Sequence, residues 1–353
     1  MTSPSVASVA QDTSIITPCQ KFEGHTSQVS GAIHLPGGKR IMTCSADGSL
    51  RVWNLKIGKQ IGDEWRDGES AVWRIALSPD GKKVVGGNYD GALRLWDIDT
   101  GKVIAKWMGH TGGVSSVRWS QDSQRVLSGS YDGTAREWDV EKGETILGPI
   151  KTGHRSVYTA IYSPDMTAFA TGGEQPWNNT EDDKSQVKIW DTKTGGLVAT
   201  LEGHKESVLC LAWTPDGKML ISGSADNSIR TWSTTTWKQI AVLDGHTSNV
   251  YDIAISPNGR ILASASGDKT ARLWNLDNNQ PIRLPLQHAN CVLRVSFSAD
   301  GKLLATGCDD QNAYTWDIST IVKEAGLDEL LLDQRDKLVL AVRDTFINRY
   351  HCI

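Results

Sequence analysis

No two of the chain's six cysteines are close enough to form a C-x-x-C pair. Cys19, Cys44, Cys210, Cys291, Cys308 and Cys352 are scattered, which suits neither a zinc site nor a dense disulfide framework. They read as buried, reduced thiols in an intracellular protein. No H-E-x-x-H, Walker A or G-x-G-x-x-G pattern occurs, so neither a metal nor a cofactor is expected. The opening "MTSPSVASVAQDTS" lacks the charged region and apolar core of a signal peptide. No run approaches the roughly 20 apolar residues of a membrane span. The formal charge of −4 is too mild for a broad nucleic-acid-binding surface. The expected chain is therefore soluble, with no membrane and no direct nucleic-acid partner.

Tryptophan and glycine, by contrast, are abundant, at 14 and 34 of the 353 residues. Seven tryptophans close similar segments, such as "SLRVWN", "ALRLWD", "TAREWD" and "TARLWN". They are Trp53, Trp96, Trp138, Trp190, Trp232, Trp274 and Trp316, spaced by 43, 42, 52, 42, 42 and 42. A fixed period of this length marks a repeat architecture. Within one repeat, "VYDIAIS", "ILASAS" and "TARLWNL" read as strands separated by turn residues.

The segment "SASGDKTARLW" looks at first like part of a hydrolase site, because Ser266 and Asp268 follow His246. The period argues otherwise. A His–Ser–Asp–Trp set recurs in register as His25, Ser45, Asp47 and Trp53; as His110, Ser130, Asp132 and Trp138; as His204, Ser224, Asp226 and Trp232; and as His246, Ser266, Asp268 and Trp274. Four copies of a catalytic triad in one chain are implausible. The expected role is a structural network running from the indole N–H to Ser, His and Asp, since such groups need partners once buried. No catalytic residue is assigned, and a hydrolase is only a remote alternative.

A "GH" pair, a central Asp and a closing "WD" make the chain similar to WD-repeat (WD40) β-propellers over residues 15–318. The resemblance implies an all-β, seven-bladed propeller of four-stranded blades. Its offset between repeat and blade implies that residues 15–22 supply the outer strand of blade seven and close the ring, removing an exposed edge. Residues 1–14 read as a disordered segment. Residues 319–353 read as a helical tail, with Leu338, Val342 and Phe346 at helical spacing; the tail either docks on the propeller or binds a partner.

The resemblance also implies a function. Propellers of this family bind partners on the top face, beside the valine that opens each inner strand and before the network Asp. The large residues at those positions are Trp73, Tyr89, Tyr131, Tyr158, Leu209, Tyr251 and Leu293. The long fourth repeat adds "EQPWNNTEDDK", with Trp177 on a loop that either packs on itself or recognises a partner. The leading expectation is a non-catalytic scaffold binding peptide segments of other proteins, monomeric itself within a larger complex. The alternative is a chromatin-associated reader of basic histone tails, using Asp252, Asp309, Asp310 and the "EDD" run. Location is left between cytoplasm and nucleus.

Overall fold

A computed structural model describes residues 16–175 and 185–332. Its strands form seven antiparallel sheets. Each inner strand packs against the next, and that of blade 7 packs against that of blade 1, so the sheets close into a ring. Blade 1 runs outward through Val29–His34, Arg40–Ser45, Ser49–Asn54 and the short Trp65–Arg66. Blade 7 takes Val292–Phe297, Leu303–Cys308 and Ala313–Asp317, and its outer strand is Gln20–Phe22 from the start of the chain. Gln20 lies opposite Thr315 and Phe22 opposite Ala313. Phe22 is buried there beside Trp53 of blade 1, which ties the two ends of the ring through one side chain.

The outer strands are the irregular ones. In blade 6 two prolines fall in the outer segment, and it pairs only as Gln280–Pro281 and Leu286–Gln287. Proline has no N–H for the ladder, and an edge strand tolerates that loss. Inner strands are regular except at one place. In all seven blades the register slips by one residue just after the buried valine: Val29, Val72, Val114, Val157, Val208, Val250 and Val292.

After blade 7, Asp317 caps the helix Ile318–Glu324 by accepting the Thr320 N–H, and a 3₁₀ turn follows at Asp328–Leu331. Ile318, Ile321, Val322 and Leu330 are buried against blades 6 and 7. Asn258 Nδ2 donates to the Leu330 carbonyl at 2.8 Å. The described part of the tail is thus docked. Leu338, Val342 and Phe346 lie outside the described residues, as does residue range 1–14. No helix among the described residues is long and apolar enough to cross a membrane.

The five described cysteines are free; Cys44, Cys210 and Cys308 are buried as expected, whereas Cys291 is only partly buried and Cys19 is exposed.

Candidate functional site

Two sets of residues carry the repeat's chemistry, and they occupy different parts of each blade. The first is the polar network. In blade 1, His25 Nδ1 meets Asp47 Oδ2 at 2.9 Å, and His25 Nε2 meets Thr43 Oγ1 at 2.7 Å. The Trp53 indole donates to that same Thr43 Oγ1 at 2.7 Å. Asp47 also accepts the Thr26 and Ser49 N–H groups, so one carboxylate pins a loop and a turn together. Blades 3, 5 and 6 repeat this arrangement through Ser128, Ser222 and Ser264.

The network hydroxyl is therefore not the expected one. Ser45, Ser130, Ser224 and Ser266 stand eight residues before their tryptophans; the hydroxyls that bond the indole stand ten before. Strand register explains the correction. Trp53 lies opposite Ile41, so Thr43 is the next residue on the same face. Ser45 is four residues along from Ile41, roughly 13 Å away, beyond reach of the indole. Ser45 instead donates to the Ser27 carbonyl and accepts the Asp47 N–H, holding the turn that carries the carboxylate. Ser130, Ser224 and Ser266 do the same. "SGS" and "SAS" offer both serines, so three blades are ambiguous in sequence. Blade 7 discriminates, with Thr306 at the first position and Cys308 at the second.

Thr43, Ser128, Ser222 and Ser264 are fully buried and engaged by both a histidine and an indole. None is placed to attack a substrate. The four Asp carboxyls are held well below their ordinary range: burial opposes this, but the hydrogen bonds from His, Ser or Thr and backbone N–H outweigh it.

The second set sits at the inner strands. The register slip in each blade is a β-bulge, and a bulge re-aims the side chain it carries. The seven bulged residues are Ser30, Trp73, Ser115, Tyr158, Leu209, Tyr251 and Leu293. All seven line one cavity of about 330 Å³ at the mouth of the channel. Ser30 and Ser115 donate across to the Val72 and Val157 carbonyls of the following blade. The other five present large apolar or aromatic surface.

Two more rings join them from the turns before Asp90 and Asp132. Tyr89 packs on Trp73 with centroids 5.0 Å apart, Trp73 on Tyr131 at 4.9 Å, and Tyr131 on Tyr158 at 5.5 Å. Tyr89 and Tyr131 remain 65% and 44% exposed. The Tyr158 hydroxyl reaches Glu174, which also pairs with Arg155. Tyr158 is pushed up to about 12 by burial first and by Glu174 next. Trp177 lies outside the described residues.

Three of the carboxylates expected to receive a basic tail are otherwise engaged, and the "EDD" run, Glu181, Asp182 and Asp183, lies outside the described residues. Asp252 pairs with Arg74 at 3.3 Å and accepts the Val295 N–H. Asp309 accepts from Asn290, and Asp310 from Tyr314 and the Asn312 N–H. No carboxylate among the described residues lines the cavity at the mouth. Sequence reasoning also missed that Arg74, Arg118 and Arg294 line the channel. Arg74 and Arg294 follow the bulged residues directly, and that spacing was the available signal.

Comparison with known proteins bears on the fold more than on the site. A family model described as WD domain, G-beta repeat matches residues 16–54, 63–97 and 101–139. One described as IFT122 first beta-propeller matches residues 179–329. The intraflagellar transport protein 122 homolog of Xenopus tropicalis is 33% identical over 75 residues, 21% of this chain and 6% of that protein. The periodic tryptophan protein 2 homolog of Caenorhabditis elegans is 32% identical over 73 residues, 21% of this chain and 7% of that protein. The LEC14B protein of Lithospermum erythrorhizon is 35% identical over 85 residues, 23% of this chain and 17% of that protein. The chain thus spans less than a fifth of each of these relatives.

Proposed function

The chain belongs to the WD-repeat β-propeller family, and we propose that it serves as a non-catalytic scaffold whose top-face mouth docks an apolar or aromatic side chain of a partner's peptide segment. The observation that carries this reading is the set of seven bulges that turn one residue per blade into a single cavity, five of them large. Exposed Trp and Tyr around a concave site are the residue types that dominate interface energy. Rings already packed on one another lose little freedom on binding, which favours recognition. The family and its relatives support protein partners and assembly into complexes. One relative's name speaks of intraflagellar transport, but the shared stretch is 6% of that protein, and what carries over is an interaction module.

The buried hydroxyls of the His–Asp networks support a non-catalytic role. The engaged state of Asp252, Asp309 and Asp310 disfavours a reader of basic tails. The test is a partner profile of Trp73→Ala with Tyr131→Ala. Truncating a true anchor costs about 2 kcal/mol or more of binding, near thirtyfold. The double variant is expected to keep the native melting profile and lose its main partners. An unchanged profile from a folded variant would remove the mouth from consideration.

A further inference from the structure

Three arginines from three blades converge in the channel beneath the mouth. Arg74 and Arg294 line both the mouth and a second cavity of about 520 Å³; Arg118 lines the second. Asp252 is the one carboxylate among the described residues lining either cavity. It pairs with Arg74. Arg118 gives an N–H to the carbonyl of its own neighbour Val117, and Arg294 does so to Leu293. The Nε atoms of Arg74 and Arg294 have no partner among the described residues, and Arg74 is only 5% exposed. A guanidinium has five N–H donors, so most of this capacity is unspent.

Charge makes the same point. Among the described residues that line the two cavities, three guanidiniums against one carboxylate leave two positive charges in excess. Burial first, and repulsion from Arg74 next, push Arg118 and Arg294 down to about 10, so both remain charged at neutral pH. Arg118 and Arg294 are part-buried, and an uncompensated charge partly withdrawn from water is favoured by a counter-charge that meets it. The fold does not require Arg74 or Arg294: Thr159 and Cys210 hold the positions in blades 4 and 5 that those arginines hold in theirs.

We propose that this arginine waist receives a doubly charged oxyanion, a phosphate monoester, presented on a side chain of the peptide that docks at the mouth. A phosphorylated side chain carries about −1.5 to −2 charge at neutral pH, matching the excess of two. Arginine forks match phosphate oxygens in bidentate geometry. A single carboxylate leaves half of the excess uncompensated, and a lysine-rich segment is repelled. The delivery by a peptide rests on the proposed role of the mouth; the anion site itself rests on the channel alone.

The test uses the full chain and separates the two. Melting is followed in inorganic phosphate and in chloride at matched ionic strength. Wild type is expected to melt higher in phosphate, saturably, because a ligand of the folded state alone stabilises it. Arg118→Gln with Arg294→Gln is expected to melt in chloride no lower than wild type, and to lose the phosphate effect. Equal melting of wild type in the two salts overturns the site, whether or not the variant folds. So does a phosphate effect that survives in the folded variant. A short peptide with phosphoserine beside leucine and tryptophan then identifies the carrier. Binding about tenfold or more tighter than inorganic phosphate, abolished by Trp73→Ala, supports delivery through the mouth. Binding no tighter than inorganic phosphate overturns that delivery and assigns the waist to a free anion.

Discussion

Blades 1, 3, 5 and 6 and blades 2, 4 and 7 solve one problem in different ways: where does the indole N–H of the buried tryptophan go? The first four send it to a hydroxyl shared with a histidine that a carboxylate orients. Blade 4 keeps indole, Thr171 and His154, but His154 Nδ1 has no partner among the described residues. Blade 7 keeps indole, Thr306 and His288, and His288 Nδ1 turns to the Leu286 carbonyl. Blade 2 abandons the network. Gly86 lies where the hydroxyl would be, and the Trp96 N–H has no partner among the described residues. Buried Arg94 replaces the histidine, gripping Asp90 with two bonds and Asp67 with a third. Each blade still folds to the same register. The network consolidates a blade, then, and inter-blade packing around the tryptophan suffices to specify one.

The sharpest break in this comparison is within blade 6. Ser264→Ala removes the hydroxyl that serves both the Trp274 indole and His246, leaving two buried groups unpaired. The expected loss is about 2–5 kcal/mol. Ser266→Ala removes two turn bonds, to the Ser248 carbonyl and from the Asp268 N–H, but leaves the indole and His246 paired, and Asp268 stays anchored by Thr247, Thr270 and His246. Its expected loss is about 1 kcal/mol. Denaturant melts of the two variants check the order. If Ser266→Ala proved the costlier, the assignment of the network hydroxyl would be wrong.

That pair of serines also shows what sequence could and could not supply. The 42-residue tryptophan spacing specifies seven repeats, because a chain position that recurs so regularly must occupy an equivalent place in a ring. Recurrence alone does not say which of two serines on one strand face an indole reaches; that depends on the residue opposite. The mouth was half legible. Trp73, Tyr158, Leu209, Tyr251 and Leu293 follow valines, but only the bulge explains why they turn into one cavity. Arg74 and Arg294 share one spacing after their valines, but Arg118 does not, and the three occupy different blades and two different depths. Their convergence is a property of the closed ring.

A more general contrast should appear with pH. His154 is pushed down to about 3, by burial first and by the Lys188 charge next. His288 is pushed down to about 4 by burial, against the opposing influence of the Leu286 carbonyl and Asp310. Unfolded, both titrate near 6.5. As pH falls below that value the unfolded chain takes up protons that the folded chain refuses, so stability drops until the folded pKa is reached. The loss falls between about pH 6.5 and 4 for His288 and between about pH 6.5 and 3 for His154, and amounts to roughly 3–5 kcal/mol per histidine. The network carboxyls act lower: their stabilisation persists above the ordinary carboxylate pKa and is lost only as pH falls beneath it. His288→Gln, melted from pH 7 to 4, should show a flatter profile than wild type. An equally steep profile would assign the loss to other groups.

The smallest expected effect separates the blade's framework from its mouth. Tyr89 precedes Asp90, and its backbone N–H donates to the Ala71 carbonyl at 3.0 Å. The same bond is made at the equivalent turn by Ala46 to Gln28, by Ala225 to Ser207 and by Gly267 to Asn249. Three sibling blades therefore hold this turn with alanine or glycine, and two of those residues, Ala46 and Ala225, are what Tyr89→Ala would place there. The chain thus carries its own control. The ring of Tyr89 is mostly exposed and packs on Trp73. Tyr89→Ala should change stability by no more than about 0.5 kcal/mol. Binding should respond differently, because the ring extends the aromatic surface beside Trp73, and losing a contributing interface residue costs about 1 kcal/mol or more. Calorimetric melting and affinity for a captured partner peptide, measured on the same sample, give both numbers. A variant that loses stability without losing affinity would make Tyr89 part of the framework, and the mouth would then end at Trp73.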